Sequence, residues 1–70
     1  MIEVFKTNVL FHKDALLIID GLEKKLGNSK INFDLEDCDK ILRIAGTNNT
    51  KNKYIISYLQ KLGYNCEVLD

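Results

Sequence analysis

Few side chains in this sequence are equipped to do chemistry. Its one histidine, His12, stands two residues before Asp14, and Cys38 is flanked by Asp37 and Asp39. Imidazole, thiolate and carboxylate together make the ligand set that a borderline cation such as zinc accepts. No two of these residues have a recognised ligand spacing, so a metal centre at His12, Asp14 and Cys38 requires the fold to bring them together. Against it stands a plainer account, in which Asp14 caps a helix and His12, Asp37, Cys38 and Asp39 are solvated loop residues. Cys66 lies in an alternating segment and is expected to pack as a small hydrophobe. Both thiols are expected to be reduced, since secreted scaffolds usually carry more cysteines than two. For catalysis the chain offers no nucleophile paired with a base, no glycine-rich phosphate loop and no paired-carboxylate cleft. Its only arginine, Arg43, projects from a strand. No enzymatic activity and no cofactor are expected.

Length and charge narrow the classes further. Seventy residues make a single domain, 1–70, and a chain of this size buries only about 60% of its unfolded surface. Ten basic residues balance ten acidic ones. That balance supplies neither the basic field that nucleic acid requires nor a polybasic patch for a membrane surface. The longest apolar run, Ala15 to Ile19, falls far short of the roughly 20 residues that span a bilayer. A cytoplasmic location is expected.

The elements that must position these groups follow from periodicity. Ile2 to Asn8 alternates, with Phe5, Thr7 and Val9 on one face and Ile2, Val4 and Lys6 on the other, which predicts a strand. Asp14 is the expected N-cap of a helix. Ala15, Ile18, Ile19, Leu22 and Leu26 form its inner face, Leu16 and Leu17 widen the apolar arc, and Gly27 stops it. Gly21 inside that helix costs about 1 kcal/mol relative to alanine, and close approach to a sheet is the expected compensation. Lys30 to Leu35 and Lys40 to Ala45 alternate on either side of a polar tip at Glu36–Asp39, which predicts an antiparallel hairpin. Asn49 or Thr50 is the expected cap of a second helix, with Ile55, Leu59 and Leu62 inward and Gly63 at its end. Tyr64 to Leu69 closes the chain as a strand, with Cys66 and Val68 inward. This order predicts an α+β, ferredoxin-like βαββαβ sandwich. Its four-stranded antiparallel sheet has two helices on one face.

Four stretches together resemble the heavy-metal-associated domain family, which includes copper chaperones and the small modules of metal-pumping ATPases. They are Phe5-Lys6-Thr7-Asn8-Val9, Leu22-Glu23-Lys24-Lys25-Leu26-Gly27, Asp39-Lys40-Ile41-Leu42 and Leu59-Gln60-Lys61-Leu62-Gly63-Tyr64. The resemblance spans nearly the whole chain and rests on the order and spacing of these pieces. It implies a metal-binding Cys-x-x-Cys loop after the first strand, because two thiolates suit a soft cation. Here the two cysteine positions fall on Phe11 and Asp14, so the thiol pair is absent. The family's Gly-Tyr pair is kept at Gly63 and Tyr64, and the resemblance implies that this tyrosine lies near the loop. A family plan without its thiols implies a non-catalytic interaction or accessory module, linked to metal homeostasis by descent. The alternative is a metal-binding protein with a rearranged site near His12, Asp14 and Cys38.

Two surfaces are candidates for a partner. Phe11 either folds back over its loop or stands exposed as a contact, with Tyr64 nearby. On the open face of the sheet, Ile2, Val4, Ile41 and Leu69 are expected to form an apolar patch among Lys6, Arg43 and Glu67. Such a patch suits a homodimer or protein partner. RNA-recognition modules stack bases on aromatics of this face. The outward positions of the two central strands carry none, so nucleic acid is not an expected partner.

Overall fold

A row of apolar side chains crosses the whole sheet and organises the domain. The computed structural model describes residues 2–27 and 29–69. Its elements are β1 (Ile2–Thr7), α1 (His12–Leu26), β2 (Lys30–Asp34), β3 (Ile41–Ala45), α2 (Asn49–Lys61) and β4 (Cys66–Val68). The strands lie in the order β2-β3-β1-β4, every neighbouring pair antiparallel. Phe33 faces Leu42, Leu42 faces Phe5, and Phe5 faces Val68. Side chains directly opposite on one face are the unit of sheet stabilisation. Two split βαβ crossovers place both helices on this face, the α+β ferredoxin-like architecture that the pattern of elements predicts.

The helices complete one core. Ile18 and Leu22 from α1 and Ile55 and Leu59 from α2 are fully buried against Phe5, Val9, Leu42 and Ile44. Each such side chain contributes about 1.5–3 kcal/mol relative to exposure. Ala15, Ile18, Leu22 and Leu26 make the buried stripe of α1. Ile19 is only half-buried, and Leu16 and Leu17 face solvent, because five successive apolar residues wrap round more helix than the sheet can cover.

Helix ends depart from expectation. The N-cap of α1 is Phe11, without a side-chain bond, and Asp14 lies in the first turn. There its carboxylate acts on the helix dipole instead of bonding free N–H groups. The cap of α2 is Asn48, not Asn49 or Thr50; its side chain accepts from the Lys51 N–H at 2.9 Å. At the other end Tyr64 N–H donates to Leu59 C=O and Gly63 N–H to Gln60 C=O. This double closure needs the positive φ of 96° that Gly63 supplies. Leu62 is thereby the C-cap and stands exposed instead of entering the core.

Gly21 is explained by the second helix and not by the sheet. A Cβ there would overlap the Tyr58 hydroxyl and come within 2.8 Å of its Cζ. Tyr58 is held by Tyr54, whose ring stacks on it at 6.0 Å between centroids. Gly21→Ala should therefore lower stability in the wild-type background despite its better helix propensity. In a Tyr58→Ala background the same change should raise stability by up to about 1 kcal/mol. Urea unfolding of the four proteins in this cycle decides it; an unchanged sign in both backgrounds excludes the steric account.

Candidate functional site

Three connections meet at one end of the sheet, and Thr7 ties two of them together. Its N–H donates to Asp39 C=O at 3.1 Å. Its hydroxyl donates to Lys40 C=O and accepts from the Val9 N–H. The end of β1 is thus fixed to the β2–β3 hairpin while the chain turns toward α1. Asn8 ties in the third connection, since its side-chain oxygen accepts the Asn65 N–H at 2.8 Å. Beside it, Tyr64 comes next to Asp14. Desolvation and then the Asp14 carboxylate hold the Tyr64 phenol above its ordinary pKa.

The hairpin tip is a tight polar turn. Asp37 Oδ1 accepts the Asp39 N–H at 2.9 Å, a local bond typical of aspartate turns. Lys40 adopts a φ of 47°, and its ammonium donates to Leu35 C=O at 2.9 Å. Ligand atoms of Asp37, Cys38 and Asp39 lie within 4.8 Å of one another. Among the described residues this is the only such group, so His12 and Asp14 are not brought together with Cys38. Asp39 also faces the Lys6 ammonium at 3.7 Å. The cluster is accounted for by its turn and its lysine neighbour.

Phe11 stands out from the loop, 65% exposed. It has company that sequence reasoning did not assign to it. Leu10 precedes it, Leu16 and Leu17 lie in the first turns of α1, and Leu62 caps α2; all four are more than half exposed. A hollow of about 140 Å³ is lined by Asp14, Leu17, Ile18, Leu62 and Tyr64, so the two helix ends share one surface. The signal was present in the run from Ala15 to Ile19, which exceeds what a single inward face can bury.

The open sheet face is less apolar than expected. Ile41 is 3% exposed and does not belong to any accessible patch. It pairs with Asp34 of β2. Lys6 reaches for Asp39, two residues from Ile41. Val4 is half-buried. Exposed Ile2 and the more modestly exposed Leu69 remain. Among the described residues no helix is long and apolar enough to cross a membrane.

A polar cleft of about 440 Å³ opens where β1 meets β4, lined by Lys6, Thr7, Asn8, Gln60, Asn65, Cys66 and Glu67. Cys66 is buried as expected, and both cysteines are free thiols. Burial, then the nearby Glu67 charge, pushes the Cys66 thiol up to about 12. A thiol so held stays protonated, which is the opposite of an activated nucleophile.

Three measurements check this end of the molecule. Native protein should react with a thiol reagent quickly at Cys38 and slowly at Cys66, with both reacting after denaturation. The raised Cys66 pKa favours the folded state fully below the ordinary thiol value of 9.0, and that contribution is lost as pH climbs toward about 12. Cys66→Ala should flatten this alkaline decline; an identical pH profile contradicts the burial argument. Thr7→Val preserves shape but strands Lys40 C=O and Val9 N–H, and should cost about 1–3 kcal/mol in denaturant unfolding. A loss below a few tenths would show that the clamp does not hold the connections.

The chain matches no protein-family model, no curated protein and no solved structure.

Proposed function

We propose that this domain is a non-catalytic interaction module on the plan of the heavy-metal-associated domains. Its contact surface occupies the place of the missing thiol loop. The observation that carries this is the exposure of Leu10, Phe11 and Leu17 at the start of α1 and of Leu62 at the end of α2, each 52–65% exposed, with Leu17 and Leu62 lining one hollow. Single exposed apolar residues need no explanation, but several at one end of a small domain, two of them sharing a hollow, favour an interaction site. The loop is held rigidly by Thr7 and Asn8, so a partner meets a preformed surface and little ordering entropy opposes binding. Phe11 and Leu17 are its natural anchors, with Tyr64 and Asp14 supplying a polar rim.

Metal handling enters this proposal through descent and partner, not through a ligand set. Phenylalanine cannot coordinate, and a carboxylate at Asp14 is a hard ligand poorly suited to monovalent copper.

A photo-crosslinking phenylalanine analogue placed at position 11 should give one defined protein adduct in cells that make this chain. The same analogue at exposed Ser57 should not. Phe11→Asp and Leu17→Asp should each abolish complex formation while leaving the melting temperature nearly unchanged, because both side chains already face water. Equal adducts at positions 11 and 57, or none at either, would remove the proposal.

A further inference from the structure

The sheet has two open edges, and they differ in a way that matters for self-association. β4 is three residues long. Paired antiparallel with a second copy of itself about its middle residue, it would set Glu67 against Glu67, a repulsive contact. β2 is five residues long, Lys30-Ile31-Asn32-Phe33-Asp34, and is bonded to β3 on one side only. Its sequence is self-complementary when reversed. About a twofold axis through Asn32, Lys30 meets Asp34 of the second copy, Ile31 meets Phe33, and Asn32 meets Asn32.

We propose that the free edge of β2 pairs antiparallel with β2 of a second copy, in the register centred on Asn32, to form a dimer with one continuous eight-stranded sheet. Every second N–H and C=O of an edge strand points away from its neighbour. Strand addition satisfies them, and affinity comes mainly from those main-chain bonds. Two side-chain layers add to it. On the helix-covered face Ile31 and Phe33 are partly buried and pack at the margin of the core. The second copy lays Phe33 and Ile31 against them, an aromatic on β-branched pairing that favours sheets. On the open face Lys30 and Asp34 are exposed, and the pairing sets two symmetry-related lysine–aspartate pairs.

Exposed ion pairs contribute little affinity. Their role here is register. The side chains of paired residues must lie on the same face, so registers shift by even steps. Centring on Ile31 sets Lys30 opposite Asn32, and centring on Phe33 sets Asn32 opposite Asp34. Only the Asn32 register joins lysine to aspartate. A twofold axis perpendicular to the sheet keeps all four helices on one face, and the contact closes on itself as an isologous dimer instead of propagating.

This edge shares no residue with the Phe11 surface, so the two are tested separately. Sedimentation of the full chain from micromolar to millimolar concentration should show a dimer that dissociates on dilution. Lys30→Asp turns both pairs into aspartate against aspartate, and Asp34→Lys turns both into lysine against lysine. Each should weaken self-association about tenfold or more. An equal mixture of the two variants should recover it, because each charge then meets its opposite. Circular dichroism should show both exposed substitutions leaving the fold intact. Amide exchange supplies a second readout: the outward amides of β2 in the wild type should become protected as concentration rises. A wild type that stays monomeric, variants that associate as the wild type does, or a mixture no better than its components overturns the proposal. A dimer dissolved by Phe11→Asp and indifferent to the β2 charges overturns it too, and assigns self-association to the helix-end surface.

Discussion

The Thr7 hydroxyl is the contact on which the loop-bearing end of this domain depends. It sits at the last position of a central strand and serves as donor and acceptor at once. Its partners belong to two different connections, the hairpin tip at Lys40 and the turn into α1 at Val9. A buried hydroxyl with both capacities engaged fixes direction as well as distance, since either bond left unmade would strand a buried polar group. The hairpin accepts a constraint in return. Lys40 adopts a left-handed conformation, which costs a non-glycine residue roughly 1–2 kcal/mol. The Thr7 bonds to Asp39 and Lys40, the aspartate turn and the Lys40 ammonium on Leu35 C=O offset that cost together.

This clamp decides what reaches the surface. With Val9 drawn into the core, the chain has only Leu10 and Phe11 in which to reach the start of α1. Both are turned outward by the geometry. Phe11 must be extended to act as N-cap, and its φ of −115° and ψ of 139° place it so. A side chain there cannot fold under the helix whose first turn it precedes. The exposure of Phe11 therefore follows from the backbone path, and any side chain at this position would be presented to solvent in the same way.

Strand and helix identities were legible because they rest on periodicity. Alternation in β1, β2 and β3 and the spacing of Ile18, Leu22 and Leu26 each point to one element, and the element order then selects the architecture. Caps were not legible, because Asn48, Asn49 and Thr50 have equivalent chemistry and only the backbone decides which takes an extended conformation. Leu62 and Ile41 failed for a different reason. Period places a residue on a face, but burial depends on what covers that face. A closing turn leaves Leu62 outside the layer, whereas Ile41 is covered although its position in β3 points it to the open face. Gly21 was legible as a close approach, but its partner was not, since the meeting with Tyr58 joins residues far apart in sequence. At the candidate site the meeting of three connections followed from topology alone. The exposure of Leu17 was signalled by the apolar run from Ala15 to Ile19, whereas that of Leu10 and Leu62 depended on the turns at the helix ends, which no local pattern encodes.

The absence of net charge gives these surfaces a shared consequence. Net charge of either sign keeps small domains apart, and a balance near zero removes that long-range barrier. Exposed leucines on such a domain would invite unselective association unless geometry restricted it. At the helix ends the charged residues Lys13, Asp14 and Lys61 stand close in sequence to the exposed leucines, and burying an unpaired charge is costly. β2 answers the same problem at the opposite edge of the sheet from β4. Lysine at one end and aspartate at the other admit antiparallel pairing but oppose the in-register parallel stacking that builds fibrils, where like would meet like along the whole strand. In a chain too small to bury all its apolar residues, selectivity thus comes from where the charges stand, not from how many there are.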